Sequence, residues 1–166
     1  MAEAIAEAGR MLPGGARLNC GRRLGRLELV ALVVSASEGP SAARCLDLLP
    51  SHFWQAVFSW CFDRPNHTVL HGHVYQLVFT ALRVGHTNSL RAFLLEYDLA
   101  AQLRCAFELQ THRSMRGHIL LIANSIRVAM VAGYANDAAT FLADNSAWRD
   151  FQHVLLKHSE DQVSAR

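Results

Sequence analysis

The chain has 166 residues, a formal net charge of +2, 51% hydrophobic and 18% charged side chains, with only 10 glycines and 4 prolines. That balance argues against disorder and excludes collagen-like or linker-like classes, and so small a charge gives no electrostatic basis for nucleic-acid binding. One domain is expected, with a core that needs neither disulfides nor a metal.

The predicted elements run as follows. Residues 1–21 read as a loosely attached N-terminal segment, Ala-rich at first and broken at Pro13-Gly14-Gly15. Acids near the start, Glu3 and Glu7, replace the cations of a signal peptide. A helix is expected from about Arg22 to the Gly39-Pro40 pair, and Pro50-Ser51 and Pro65-Asn66 separate the next ones. Leu70, Val74, Leu77, Val78 and Ala81 recur at i, i+4, i+7, i+8 and i+11, one helix face, which Gly85 ends. Leu99, Leu103, Ala106 and Gln110 form a shorter stripe, with Asp98 as its N-cap. Ile119, Ile122, Ala123, Ile126 and Met130 form another, closed by Gly133 at C′. Trp148, Phe151 and Leu155 mark the last, capped by Asn145 or Ser146. Residues 158–166 read as a tail.

These spacings predict an all-α protein of about eight helices with short connections. Two-residue alternation is not sustained anywhere. Several helices are apolar on more than one face: Leu27, Leu29, Val30, Leu32, Val33 and Val34 in the first, and Leu120, Leu121 and Val128 beside the Ile119 stripe. A helix apolar on most sides expects neighbours on most sides. Stacked helix pairs supply them, so residues 22–157 are expected to form a helical-repeat, armadillo- or HEAT-like solenoid segment, although no sharp repeat shows at a fixed period. A compact irregular bundle is the alternative.

The cysteines Cys20, Cys45, Cys61 and Cys105 are widely spaced with no CxxC, as in reduced thiols of a cytosolic protein. The apolar runs Leu29–Val34 and Ile119–Ala123 are too short to span a bilayer. The chain is therefore expected to be cytoplasmic, with no membrane partner. Cys61, His67, His71 and His73 are the best candidate metal cluster, but only His67 and His71 share i, i+4 spacing, and no HExxH accompanies them. Surface or capping histidines are the plainer reading. No GxSxG elbow, Walker loop or GxGxxG occurs, so no catalytic, metal or cofactor residue is nominated. Asn124, inside an apolar helix, is either a satisfied core amide or a groove-facing amide that binds a partner's backbone. Arg22, Arg23 and Arg26 make a small cationic face, solvated or turned to an acidic partner. Trp54, Phe58, Trp60 and Phe62 are core aromatics by default, with the two tryptophans as interface anchors the alternative.

The segment Gly117-His118-Ile-Leu-Leu-Ile122-Ala123-Asn124-Ser-Ile126 resembles the GHLxxIANxI stretch of SAPS-domain proteins, the regulatory subunits of protein phosphatase six and its fungal counterpart. Gly25–Val30, Leu70-His71 with Val74, Leu94–Leu99, and Trp148 with Phe151 resemble further family stretches in the same order. The resemblance covers roughly Arg22 to Leu156 and corresponds to the C-terminal portion of the domain. Tyr97 stands where the family has cysteine, and Thr111–Arg116 is a short cationic loop. The resemblance implies a non-catalytic scaffold that binds a serine/threonine phosphatase catalytic subunit, and ankyrin-repeat subunits, and directs substrate choice. Arg22, Arg23, Arg26, Arg116 and His118 are its candidate contacts. A general helical-repeat adaptor and a small metal-dependent enzyme are the alternatives.

Overall fold

The computed structural model describes residues 20–109 and 114–164, and the side chains of 24–109 and 114–157. Nine α-helices and one π-helical turn make up these residues, with no strand among them. They are α1 (Cys20–Ala36), α2 (Gly39–Asp47), α3 (Ser51–Phe62), α4 (Thr68–Val84), α5 (Thr87–Arg91), the π turn (Ala92–Glu96), α6 (Leu99–Glu108), α7 (Arg116–Ala132), α8 (Asn136–Leu142) and α9 (Ser146–Ser164). The all-α expectation holds. Residues 1–19 and Gln110 lie outside the described residues. Helix α9 continues through Ser164, beyond the boundary expected at 157.

Several boundaries differ from the sequence reading, each for a local reason. Helix α1 stops at Ala36, and Gly39-Pro40 opens α2 instead of closing α1. Proline fits a helix's first turn because its missing N–H would have no partner there anyway. Asp98 does occupy the position before α6, but at φ 52° it is left-handed and makes no side-chain cap. Its carboxylate accepts a hydrogen bond from Asn145 Nδ2 at 3.2 Å instead. Two caps come from histidine, a residue outside the usual Ser/Thr/Asp/Asn set. His67 Nδ1 accepts from Leu70 N–H and His86 Nδ1 from Ser89 N–H, each at 3.3 Å. Asn145 caps α9 as expected, its Oδ1 accepting from Trp148 N–H at 2.8 Å.

Helices α1, α4 and α7 each have 17 residues and begin at Cys20, Thr68 and Arg116, 48 residues apart each time. The spacing carries into the core. Ala42, Leu90 and Ala138 are buried at 48-residue intervals, and so are Leu46, Leu94 and Leu142. Gly85 and Gly133, also 48 apart, end α4 and α7 in the left-handed region at φ 66° and 75°. Helix α4 packs against both α1 and α7. Arg83 Nη2 donates to Ser37 O at 3.3 Å, which joins the C-terminal ends of α4 and α1. The His71 and His118 rings lie 5.3 Å apart and join the N-terminal ends of α4 and α7. With these ends together and α4 packed against both neighbours, α1, α4 and α7 run in the same direction.

The remaining elements close the other side of this layer. The predicted stripe of α4 is fully buried, as are Leu99, Leu103 and Ala106 in α6 and Ile119, Ile122, Ala123 and Ile126 in α7. An aromatic cluster of Phe53, Trp54, Phe58, Phe93 and Tyr97 joins α3 to the π turn, the closest pair being Trp54 and Phe93 at 5.1 Å. Trp54 and Phe58 are core, whereas Trp60 and Phe62 are only half-buried. Phe107 and Phe151, 5.7 Å apart, together with Arg104, which binds both Glu108 and Asp150, tie α6 to α9. Thr87 donates to Asp137, linking α5 to α8.

Candidate functional site

Among the described residues, the chemistry-bearing side chains do not assemble into a reactive centre. Burial pushes the Cys61 thiol up to about 12, so it stays protonated and poorly nucleophilic. His67 is occupied as a helix cap. His71 is fully buried, with Nε2 3.3 Å from Cys61 O and 3.1 Å from Arg64 O. Two acceptors at Nε2 require the proton there, which leaves Nδ1 as a buried lone pair with no partner. Burial lowers the His71 pKa, helped by the neighbouring His118 and His67 rings and opposed by the two carbonyls. Burial also lowers that of His118. His73 sits half-buried elsewhere on α4. Among the described residues, no three His, Cys, Asp or Glu side chains converge as metal ligands would. A shallow hollow of about 540 Å³, lined by Asp63 to Thr68, lies over the α3–α4 turn.

Of the nominated contact residues, the three whose side chains are described, Arg26, Arg116 and His118, do not form one patch. Arg22 and Arg23 lie in the first turn of α1, and their side chains fall outside those described. Arg26 is exposed on α1. Arg116, on α7, turns to α6 and lays its guanidinium 4.3 Å over the Phe107 ring. His118 is half-buried against His71. Helix α4 stands between α1 and α7, so Arg26 is separated from Arg116 and His118.

The structure exposes a surface that the sequence reading placed inside. Leu29 and Leu32 on α1 and Leu121 and Val128 on α7 were expected to face neighbouring helices. Each is about half exposed, at 50, 52, 48 and 49%. Val131 is 85% exposed, and on α4 Val69 and Phe79 are also exposed. The positions follow helical geometry. Gly25, Leu29, Leu32 and Ala36 share one exposed face of α1, Val69, Gln76 and Phe79 one of α4, and Gly117, Leu121, Asn124, Val128 and Val131 one of α7. Tyr75 stacks on Phe79 with ring centres 5.9 Å apart. The three helices lie side by side, α4 packing on both α1 and α7, and each leaves apolar side chains bare, although Leu77 and Thr80, the α4 equivalents of Leu29 and Leu32, are buried.

Asn124 belongs to the exposed face of α7. It is exposed, so the core-amide reading is corrected: the residue does not tie α7 to its neighbours. A mid-helix asparagine is a clue in the sequence, but its direction depends on which side of α7 is covered.

No single helix among the described residues is long and apolar enough to cross a membrane. No family model, no curated protein and no solved structure matches this chain.

Proposed function

We propose that this chain is a non-catalytic helical-repeat scaffold that binds another protein through the outward face of α1, α4 and α7. The observation that carries this reading is the bare apolar face itself: large side chains from three parallel helices, half exposed, in one layer. A half-exposed Leu or Val has about 1 kcal/mol of burial still to gain, taking about half of the usual 1.5–3 kcal/mol for full burial. Exposed apolar surface of this kind, where it is contiguous, marks interaction sites. The 48-residue spacing of equivalent helices supports the repeat part of the reading. Stacked units of this kind hold side chains at fixed positions, so little ordering cost is added on binding.

The partner is proposed from the resemblance of Gly117–Ile126 and its supporting stretches to SAPS-domain proteins. It is a serine/threonine phosphatase catalytic subunit of the phosphatase six type, with ankyrin-repeat subunits as further members of the complex and the scaffold directing substrate choice. Affinity purification of the tagged chain followed by mass spectrometry tests this. Recovery of the phosphatase subunit supports the assignment. Stoichiometric recovery of other proteins without it replaces the phosphatase by a different partner and leaves a general adaptor. Stoichiometric zinc bound by His67 and His71 in the purified chain would favour the metal-dependent alternative.

A further inference from the structure

We propose that His71 and His118 form an acid-sensitive latch between the N-terminal ends of α4 and α7, which opens on protonation while the C-terminal ends of the two helices stay joined. The two rings lie 5.3 Å apart at an interplanar angle of 61°. His71 is 1% exposed, and His118 is half-buried in the first turn of α7. The fold does not need histidine at either place. Leu70 stands 48 residues before His118, Ile119 stands 48 residues after His71, and both are fully buried. Apolar side chains thus fill the equivalent positions, and packing alone leaves the facing pair of imidazoles unexplained.

The neutral state of His71 is well served. Its Nε2–H points at Cys61 O and Arg64 O, at 3.3 and 3.1 Å, and caps the C-terminal end of α3. A second proton would enter at Nδ1, which is buried and has no hydrogen-bond partner. The two carbonyls favour the cation, but burial and the neighbouring His118 and His67 rings oppose it. Burial opposes the cation of His118 as well.

The other charged and titratable groups around the latch are exposed or engaged elsewhere. On α3 and its turn, Cys61 is a buried, protonated thiol, and Asp63 and Arg64 are exposed. On α6, Glu108 pairs with Arg104, and on α7, Arg116 lies over Phe107. Arg26 is exposed on α1, and His73 is half-buried on α4. Among the described residues, no carboxylate pairs with either ring. Two cations at this joint would therefore repel each other without compensation.

One ring can leave and the other cannot. His71 is held by the α3 carbonyls, whereas half-buried His118 reaches water by an outward swing of the first turn of α7. The far ends are held separately, by the packing of Gly85 against the Tyr134 carbonyl and by the bond from Thr87 to Asp137. Neither contact involves an imidazole. Opening would carry Leu121, about one turn beyond His118, away from α4, so acid changes the apolar side chains that α7 presents.

Hydrogen exchange of the full chain at pH 7 and pH 5, corrected for the intrinsic pH dependence of amide exchange, tests the latch. A histidine with the ordinary value of about 6.5 when open, and neutral when closed, favours opening about ten- to thirtyfold more at pH 5 than at pH 7. Amides 120–124 of α7 should lose protection by that factor, and those of α1 and α6 should not. His118→Leu places at 118 the residue that occupies the equivalent position 70, and should remove most of the loss. Equal losses in α1, α6 and α7 would overturn the latch, as would an undiminished loss in His118→Leu. If that variant does not fold, imidazole chemical shifts of the parent chain decide. Titration of His118 below 6.5, accompanied by shifts of amides 120–124, supports the latch. Titration at or above that value, or without those shifts, overturns it.

Discussion

Gly85 and Gly133 end α4 and α7 in the same way, yet they should respond differently to alanine. Both sit in the left-handed region, at φ 66° and 75°, where an L side chain costs about 1–2 kcal/mol. At Gly133 nothing else opposes a methyl group, the nearest atom to an added Cβ being Asn136 Oδ1 at 3.9 Å. At Gly85 the Cβ would lie 2.7 Å from the backbone carbonyl oxygen of Tyr134. That atom belongs to the turn between α7 and α8, so relief requires movement of the backbone where α8 meets the end of α4. Overpacking of this kind costs about 1–3 kcal/mol. Gly133→Ala should therefore lose about 1–2 kcal/mol and Gly85→Ala about 2–5 kcal/mol, summing the left-handed and overpacking costs. Urea unfolding followed by circular dichroism measures both, with midpoints compared at constant slope. Equal losses within about 0.5 kcal/mol, the usual scatter of neutral changes, would refute the close approach of Tyr134 to Gly85.

Ile126→Ala should cost about 2–5 kcal/mol in the same assay, as for other large-to-small changes in a packed core, and a loss under about 0.5 kcal/mol would contradict its burial. Stability should fall as the pH drops below about 6.5, the ordinary histidine value. His71 and His118 have folded pKa values lowered by burial, so the unfolded chain binds more protons there, and stability is complete above that pH and lost below it; a melting temperature that rises from pH 7 to 5.5 would contradict this. Asn124→Leu should leave stability within about 0.5 kcal/mol, as for exposed positions, whereas Arg116→Glu should lower it by about 0.5–2 kcal/mol through loss of the Phe107 contact. The reverse order in thermal melts would restore Asn124 to the core.

The helix content was legible because it depends on local signals. The Leu70–Ala81 and Ile119–Ile126 stripes, Gly85, Gly133 and the Asn145 cap all act within a turn or two of themselves. Features that depend on tertiary context were not. Histidine caps at His67 and His86 are absent from the preferred cap set, and Asp98 lost its capping role to a bond with Asn145, 47 residues away. The 48-residue period is weak in the sequence because equivalent positions share burial rather than identity, as Ala42, Leu90 and Ala138 do. Leu46, Leu94 and Leu142, together with Gly85 and Gly133, were the identities that would have revealed it. Apolar residues on α1 and α7 were read as needing neighbours on every side. Hydrophobicity states what a side chain prefers, not which neighbour supplies it, and in this chain the outward positions are left bare. Arg116 and His118 were selected by charge and motif, yet Phe107 and His71 take them up.

The central claim is that the outward face of α1, α4 and α7 is where this chain binds its partner. Its most direct test is binding of a purified phosphatase six-type catalytic subunit to the chain and to the Leu32→Glu, Val128→Glu double variant, with melting temperatures measured in parallel. Both positions are half exposed, so the variant should melt within a few degrees of the parent. Binding should fall at least tenfold, because two charges would be buried unpaired at the interface. Undiminished binding by the correctly folded double variant would contradict the claim.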